Sequence, residues 1–244
     1  LPPFLNRFMA GLHPGASVPD ALKGALSTDA DILEIGPGAR PAFRRREYPN
    51  LKVSDYCDTA TLQQQMREVY GLADAPVDLF DDIDYVCADG RLADHVPPGH
   101  QFDLIYSSHN VEHQPDLLAH FLNVEALLKP EGLAVLVVPH KAQTFDLFRQ
   151  LTTTGDVLLR HHWPQAGTTP KLAFDSDSHS ATPPRGAEPR FGPTDPLSLG
   201  ELTRAFDRFQ RAMRGEVLDI SYLHYHVFTP ASLQIILLEL YLLR

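Results

Sequence analysis

Glycines and a carboxylate follow the first predicted strand, where a sheet can bind a ligand. Residues 32–41 read Ile-Leu-Glu-Ile-Gly-Pro-Gly-Ala-Arg-Pro, an apolar run with Glu34 that opens into the turn Gly36-Pro37-Gly38. Glycines in such a turn let a ligand approach the main chain and adopt backbone angles that other residues avoid. At the carboxyl end of a first parallel strand, this is where an open α/β sheet binds a nucleotide-like ligand. The dinucleotide fingerprint fails, because Pro41 stands at its third glycine position.

Three further predicted strands end in groups that suit an adenosine ligand. The second ends at Asp55 and the third at Asp89, and carboxyl ends of parallel strands line one crevice. A carboxylate at the position of Asp55 predicts contact with a ribose diol, and Asp89 predicts a polar contact near adenine. The fourth strand ends in hydroxyl groups. The residues predicted to bind the cofactor are Glu34, Gly36, Pro37, Gly38, Asp55, Tyr56, Asp89, Gly90, Ser107 and Ser108.

Alternating strands and helices position these groups. We expect an α/β fold with a Rossmann-like, doubly wound, mostly parallel sheet and helices on both faces. The predicted strands cover residues 31–35, 51–55, 84–88, 102–107 and 133–138, and the helices residues 42–47, 59–70, 115–128, 199–214 and from 230 onward. We expect the helix predicted over residues 115–128 to end at Lys129-Pro130-Glu131-Gly132. The segment His161–Pro196 is rich in turn-forming residues, which predicts a long loop.

Composition excludes several classes of partner. The chain has 244 residues, with 21 Lys and Arg against 31 Asp and Glu, a net charge of −10, so we expect no nucleic-acid partner. Arg44-Arg45-Arg46 is interpreted as a solvated helix face. Two cysteines form no disulfide framework, and no apolar run is long enough to span a membrane, which favours a cytoplasmic protein. The chain begins without Met, so we expect an excerpt of a longer polypeptide; no pattern indicates an oligomeric state.

The motif set resembles the class I S-adenosylmethionine-dependent methyltransferases. Residues 32–38 are similar to their motif I, and residues 107–113 with 127–132 resemble segments of the ubiquinone-biosynthesis-like (type 11) branch. A bacterial subgroup of that branch is similar at residues 138–141, 144–146, 149 and 152, and at His224, His226, Phe228 and Thr229. Two departures are Glu131, where the family has Gly, and a chain that stops before the antiparallel strand pair of the family's sheet.

The resemblance implies transfer of a methyl group from S-adenosylmethionine to a small-molecule or glycan acceptor, at oxygen. It places His109 nearest the reacting sulfonium and makes Asp146 or His226 the base, so these three are the predicted catalytic residues. Arg149 and His224 are the predicted acceptor-binding residues. The implied organisation is a helical lead-in (1–30), a cofactor-binding core (31–142), an acceptor-side insertion or lid (143–222) and a C-terminal helix of the core (223–244).

Two alternatives stay open at the level of sequence. His109, Glu112 and His113 fit the inverted zinc-peptidase pattern H-x-x-E-H, with Glu125 as a further ligand, but the pattern follows a strand and Pro115 disturbs the helix it needs. Glu112 and His113 are therefore expected to cap and support the next helix, and no metal ligand is assigned. The second alternative is a non-catalytic S-adenosylmethionine-binding domain of a larger protein.

Overall fold

A five-stranded parallel sheet forms the centre of the first of two structural units. Its strands are Ile32–Ile35 (β1), Leu51–Asp55 (β2), Tyr85–Val86 (β3), Phe102–Ser108 (β4) and Leu128–Val137 (β5), in the order β3-β2-β1-β4-β5. The computed structural model describes residues 3–13, 15–38, 40–70, 80–164, 168–182, 198–199, 201–218 and 223–243. One unit comprises Leu1–Ser108 with His120–Val137, and the other His109–Ala119 with Val138–Arg244.

Both faces of this sheet are buried, as expected for a doubly wound fold. Side chains alternate along each strand, so Ile32 and Leu104 belong to one apolar cluster while Leu33 and Ile105 belong to the other. Helices Pro3–Gly11 (α1) and Val18–Ala25 (α2) supply the first cluster. Helices Leu92–His95 (α4) and Leu117–Leu127 (α5) supply the second, and Thr59–Tyr70 (α3) follows β2. The predicted fold class is confirmed.

The second unit is mainly helical. Its helices are Thr154–His162 (α6), Thr168–Ser178 (α7), Leu202–Met213 (α8) and Pro230–Leu242 (α9). Short 3₁₀ turns cover Val111–His113 and Lys141–Gln143, and Ala181–Thr182 (β6) pairs antiparallel with Ser198–Leu199 (β7). Thr229 caps α9 through its side chain, with Pro230 in the first turn, so the predicted helix start is confirmed. No described helix is long and apolar enough to cross a bilayer.

The helix predicted over residues 42–47 does not form. Carboxylates from other segments bind its amides and hold the backbone in another conformation: Glu34 accepts from the amides of Ala42 and Phe43, and Asp81 accepts from that of Arg45. The segment instead makes turns that bury Phe43 completely. The arginine run is also not a solvated helix face, since Arg44 and Arg45 pair with aspartates of the segment before β3.

Two other expectations about elements are corrected. Strand β5 begins at Leu128, directly after α5, instead of at residue 133, because Leu128 pairs with Phe102 across a register shift. The expected long loop over residues 161–196 contains α7, whose Pro170 lies in the first turn where no backbone donor is needed. Helix α7 packs on α8, with Leu172 and Ala173 buried; residues 183–197 lie outside the described part.

Candidate functional site

In the first unit, the carboxyl ends of three adjoining strands lie side by side. Ile35 is in register with Ser54 of β2 and Ser107 of β4, and the amide of Gly36 donates to the carbonyl of Ser54 at 2.9 Å. On the far side of β2, Asp55 is in register with Val86 of β3. The structure therefore brings the glycine turn, Asp55 and the Ser107–Ser108 pair to one edge of the sheet.

The glycine turn has the backbone that its sequence predicts. Gly36 and Gly38 have φ of 66° and 53°, in the left-handed region that glycine adopts without strain. A Cβ built on Gly38 would meet no atom within 4 Å, so a ligand has open access to the main chain there.

Glu34 orders the backbone that follows this turn. It is only 2% exposed, and its oxygens accept from the amides of Ala42 (2.7 Å) and Phe43 (3.2 Å). Burial raises the pKa of Glu34 to about 7, although the two amide donors oppose the shift. Both carboxylate oxygens are thus used within the protein, where they hold the backbone that follows the glycine turn.

Asp55 is a buried carboxylate with a free oxygen. Its Oδ1 accepts from the amide of Tyr56 at 2.7 Å, and the described residues supply no other hydrogen bond to it. Burial raises the pKa of Asp55 to about 6. Tyr56 beside it is half exposed, and its hydroxyl contacts Gln65. An acceptor oxygen at a strand end, without a donor of its own, suits a ligand that carries hydroxyl groups.

Asp89 is more fully engaged. Its carboxylate accepts from the amide and the guanidinium of Arg91 and lies 3.0 Å from Nε2 of His95. These contacts, the Arg91 amide first, lower the pKa of Asp89. Gly90 has φ of 73°, and its carbonyl accepts from Asn123. A direct contact between Asp89 and a ligand would therefore compete with Arg91 and His95.

The hydroxyl groups at the end of β4 differ in their surroundings. Ser107 is fully buried, and its Oγ has no hydrogen-bond partner among the described residues, while Ser108 is partly exposed. A buried hydroxyl without a partner is unusual, because losing its hydrogen bond to water costs about 1–3 kcal/mol. Ser107 therefore has unused hydrogen-bonding capacity close to the carboxyl end of β4.

In the second unit, a buried carboxylate is surrounded by histidines. Glu112 is 0% exposed, and neither of its oxygens accepts a hydrogen bond from the described residues. Its Oε1 lies 3.3 Å from Nδ1 of His109, 4.0 Å from Nε2 of His113 and 3.9 Å from Nε2 of His224. The other ring nitrogen of His224, Nδ1, lies 2.5 Å from Oδ2 of Asp146.

The network continues from Asp146 to Arg149, whose Nη1 donates to Oδ1 at 2.7 Å. Burial alone would raise the pKa of Asp146, but the hydrogen bond from His224 and the charge of Arg149 outweigh it and lower the pKa. The predicted residues Asp146, Arg149 and His224 are thus brought together, and each is less than 10% exposed.

His109 is the most exposed member of this network. Its side chain is 63% exposed, and its φ of 52° makes it the only described non-glycine residue with a positive φ. Such a backbone is sparsely populated for residues other than glycine and is often found at functional sites. The contact with Glu112 raises the pKa of His109 against the opposing effect of burial.

His226, the third predicted catalytic residue, is placed differently. It is 1% exposed, its Nε2 lies 2.9 Å from the carbonyl of Gln114, and its buried Nδ1 has no hydrogen-bond partner among the described residues. Burial, followed by the charge of Arg160, lowers the pKa of His226 to about 3. His226 lines a pocket of ~180 Å³ with Arg149, Arg160 and Tyr225. The guanidinium of Arg160 lies over the ring of Tyr225, 5.4 Å from its centroid.

Sequence reasoning missed the central position of Glu112. The residue was expected to support the helix that follows it, whereas its side chain is surrounded by His109, His113 and His224. The signal available in the sequence was the H-x-x-E-H spacing itself. That spacing does not form the peptidase helix, because Val111–His113 is a single 3₁₀ turn.

The strand order and the glycine turn after β1 are those of a doubly wound α/β protein, a fold class in which ligands bind at the carboxyl ends of the strands. The chain belongs to the methyltransferase domain family, whose sequence profile matches residues 7–186. Among solved structures it is similar to the mitomycin 7-O-methyltransferase MmcR, with 16% identity and a TM-score of 0.31 over 76% of this chain. The match spans 58% of that protein's chain. No curated protein matches the sequence.

Proposed function

We propose that this chain is an S-adenosylmethionine-dependent methyltransferase that acts on a hydroxyl group of a small-molecule or glycan acceptor. Membership of the methyltransferase domain family supports methyl transfer. The observation that carries the assignment to oxygen is His109, an exposed imidazole directly after β4 that contacts a fully buried carboxylate.

The first unit offers a fitting place for the cofactor. Gly36 and Gly38 would hold its amino-acid tail through the main chain, Asp55 would accept from its ribose hydroxyls, and Ser107 would add a buried hydroxyl that has no partner in the described part of the chain. When bound, S-adenosylmethionine supplies an electrophilic methyl carbon on a sulfonium. Glu34 shapes the turn. The remaining proposed cofactor residues at the strand ends are Pro37, Tyr56, Asp89, Gly90 and Ser108.

His109 would serve as the general base. Its Nδ1 faces Glu112, which leaves Nε2 to take the proton of an acceptor hydroxyl. The charge of Glu112 would stabilise the imidazolium that forms, as a carboxylate does behind a catalytic histidine. The 3.3 Å contact does not have hydrogen-bond geometry, and such contacts often tighten only when the reactants are bound. His109 is preferred to Asp146 and His226 because those two side chains are buried.

The acceptor would be anionic or rich in hydroxyl groups. Arg149 uses one nitrogen for Asp146, and Arg160 has a ring contact with Tyr225 but no acceptor among the described residues. Both line the second-unit pocket and have N–H groups to offer. His224 is less available, because its Nδ1 is held by Asp146. We propose that residues 143–222 serve the acceptor and residues 31–142 the cofactor.

Two unpaired cysteines, Cys57 and Cys87, support a cytoplasmic location.

Turnover measurements on a panel of hydroxylated acceptors test this proposal. The wild-type chain is expected to form S-adenosylhomocysteine with at least one sugar, phenolic or quinol acceptor. His109→Asn should lower kcat about 10²- to 10⁴-fold while leaving cofactor affinity unchanged, since asparagine tolerates the left-handed backbone. His179→Asn, at a half-exposed site in the same unit, is the matched control.

Each failure has a distinct meaning. An unchanged kcat in His109→Asn would remove the histidine from catalysis. Cofactor binding without turnover on any acceptor would favour a non-catalytic binding domain.

A further inference from the structure

We propose that Glu112, His113 and His224 form a binding site for a first-row divalent transition-metal ion, with Zn²⁺ as the probe. One ligand atom from each residue lies within 4.8 Å of the other two. This donor set differs from the H-x-x-E-H pattern, because its third ligand comes from residue 224 and not from His109. The inference is independent of methyl transfer.

Hydrogen bonds fix both histidines in the tautomer that a metal requires. Nδ1 of His113 lies 3.1 Å from the carbonyl of Leu223, and a carbonyl only accepts, so Nδ1 carries the proton. Nδ1 of His224 lies 2.5 Å from Oδ2 of Asp146, whose other oxygen accepts from Arg149. In the neutral rings each Nε2 then holds the lone pair, and it lies 4.0 Å (His113) or 3.9 Å (His224) from Oε1 of Glu112. A carboxylate or carbonyl behind a ligating histidine is the usual support of metal sites.

Glu112 provides the second, independent indication of a ligand. The Glu112 carboxylate is fully buried, and neither of its oxygens accepts a hydrogen bond from the described residues, although burying such a group without a partner is costly. The guanidinium of Arg149 is engaged by the other buried carboxylate, Asp146. Among the described residues, Glu112 has no Lys or Arg partner, and only histidines lie beside it.

The geometry suits a small ion after a minor contraction. Bonds of 2.0–2.1 Å in a tetrahedron separate ligand atoms by about 3.3 Å. The observed separations from Oε1 of Glu112 are 4.0 Å to His113 and 3.9 Å to His224, so each side chain must move by less than about 1 Å. The rings of the two histidines already stand edge to face, at an interplanar angle of 82°. Two imidazoles and one carboxylate favour Zn²⁺, Co²⁺ or Fe²⁺ over Mg²⁺, which prefers oxygen ligands.

Titration calorimetry on the full chain, freed of metal with a chelator and then dialysed, tests the site. One equivalent of Zn²⁺ or Co²⁺ is expected to bind, with no measurable binding of Mg²⁺. His224→Gln and His113→Gln should each weaken Zn²⁺ binding at least ~100-fold, and Asp146→Asn about 10- to 100-fold through the orientation of His224.

A second cluster, Cys87 with Asp89 and His95, also groups potential ligands and must be distinguished. His95→Gln is therefore the control variant: it should leave Zn²⁺ affinity unchanged. X-ray absorption of the Zn²⁺-loaded wild-type chain needs no variant and should show two histidine nitrogens and carboxylate oxygen at about 2.0–2.1 Å.

Absence of Zn²⁺ binding would overturn the proposal and indicate that a proton on a histidine balances Glu112. So would sulfur ligation in the absorption spectrum, or binding lost only in His95→Gln. Because metal binding is measured without turnover, these outcomes are separate from failure of the proposed methyl transfer.

Discussion

Replacing Asp55 with asparagine should abolish most cofactor affinity while leaving the fold intact. The free carboxylate oxygen of Asp55 is the proposed acceptor for a ribose hydroxyl, whereas Oδ1 accepts from the amide of Tyr56. Asparagine keeps an acceptor for Tyr56 but presents an NH₂ group to the ribose. Loss of one hydrogen bond to a charged group costs about 1.5–3 kcal/mol. The Kd for S-adenosylhomocysteine should therefore rise about 10- to 150-fold.

The stability of this variant should move in the opposite direction. The pKa of Asp55 is about 6 in the folded chain against an ordinary 3.8, so the ionised side chain disfavours the folded state at pH above 6. A shift of about two units corresponds to about 3 kcal/mol at pH 7.5. Asp55→Asn removes this cost, and its thermal midpoint at pH 7.5 should be equal to or above that of the wild type.

Titration calorimetry at pH 7.5 and pH 5 provides the assay. At pH 5, about a tenth of Asp55 is ionised, so wild-type affinity should fall up to tenfold and approach that of the variant. Asp58→Asn is the matched control, since the exposed Asp58 caps the start of α3, where either residue serves. A Kd in Asp55→Asn within twofold of the wild type at pH 7.5 would refute the assignment of Asp55 to the ribose.

Two further predictions concern stability in the first unit. The pKa of Glu34 is about 7 when folded and 4.5 ordinarily, so its contribution to the free energy of unfolding should fall by about 3 kcal/mol from pH 4.5 to above pH 7; in urea unfolding at several pH values, the fall in the wild type should exceed that in Glu34→Gln by this amount. A Cβ on Gly132 would lie 2.7 Å from the carbonyl oxygen of Phe102, so Gly132→Ala should destabilise by about 1–3 kcal/mol. Gly24→Ala, where the new Cβ meets no atom within 4 Å, should not destabilise and serves as control.

The parts of the fold that depend on neighbouring residues were predictable from the sequence. The bounds of β2 and α3 and the capped start of α9 agree with the apolar periodicity and the Thr-Pro signal. The helix expected over residues 42–47 does not form, and the reason is tertiary, because Glu34 and Asp81 from other segments accept hydrogen bonds from its backbone amides. Helix α7 was not predicted, because its segment is rich in turn-forming residues that obscure the pattern of the apolar face packed on α8.

The same distinction separates the two parts of the site. Groups at strand ends follow from the topology of a parallel sheet, so Gly36, Asp55 and Ser107 could be placed together in advance. The position of Glu112 could not, because it depends on the pairing of distant segments. His224 contacts Asp146 although 78 residues separate them in the sequence. Its position beside Glu112 likewise cannot be inferred from the spacing of neighbouring residues.

That long separation has a consequence for folding. The contact of His226 with Gln114 closes a loop of 112 residues, and the backbone bridge of Phe228 to His140 fastens the same segment. Closing so long a loop costs entropy before any contact is gained, and contacts of large sequence separation slow folding. The contacts of His109, His113 and His224 with Glu112 should consequently be among the last to form during refolding. A nascent chain that has not yet reached residue 224 cannot form all of them.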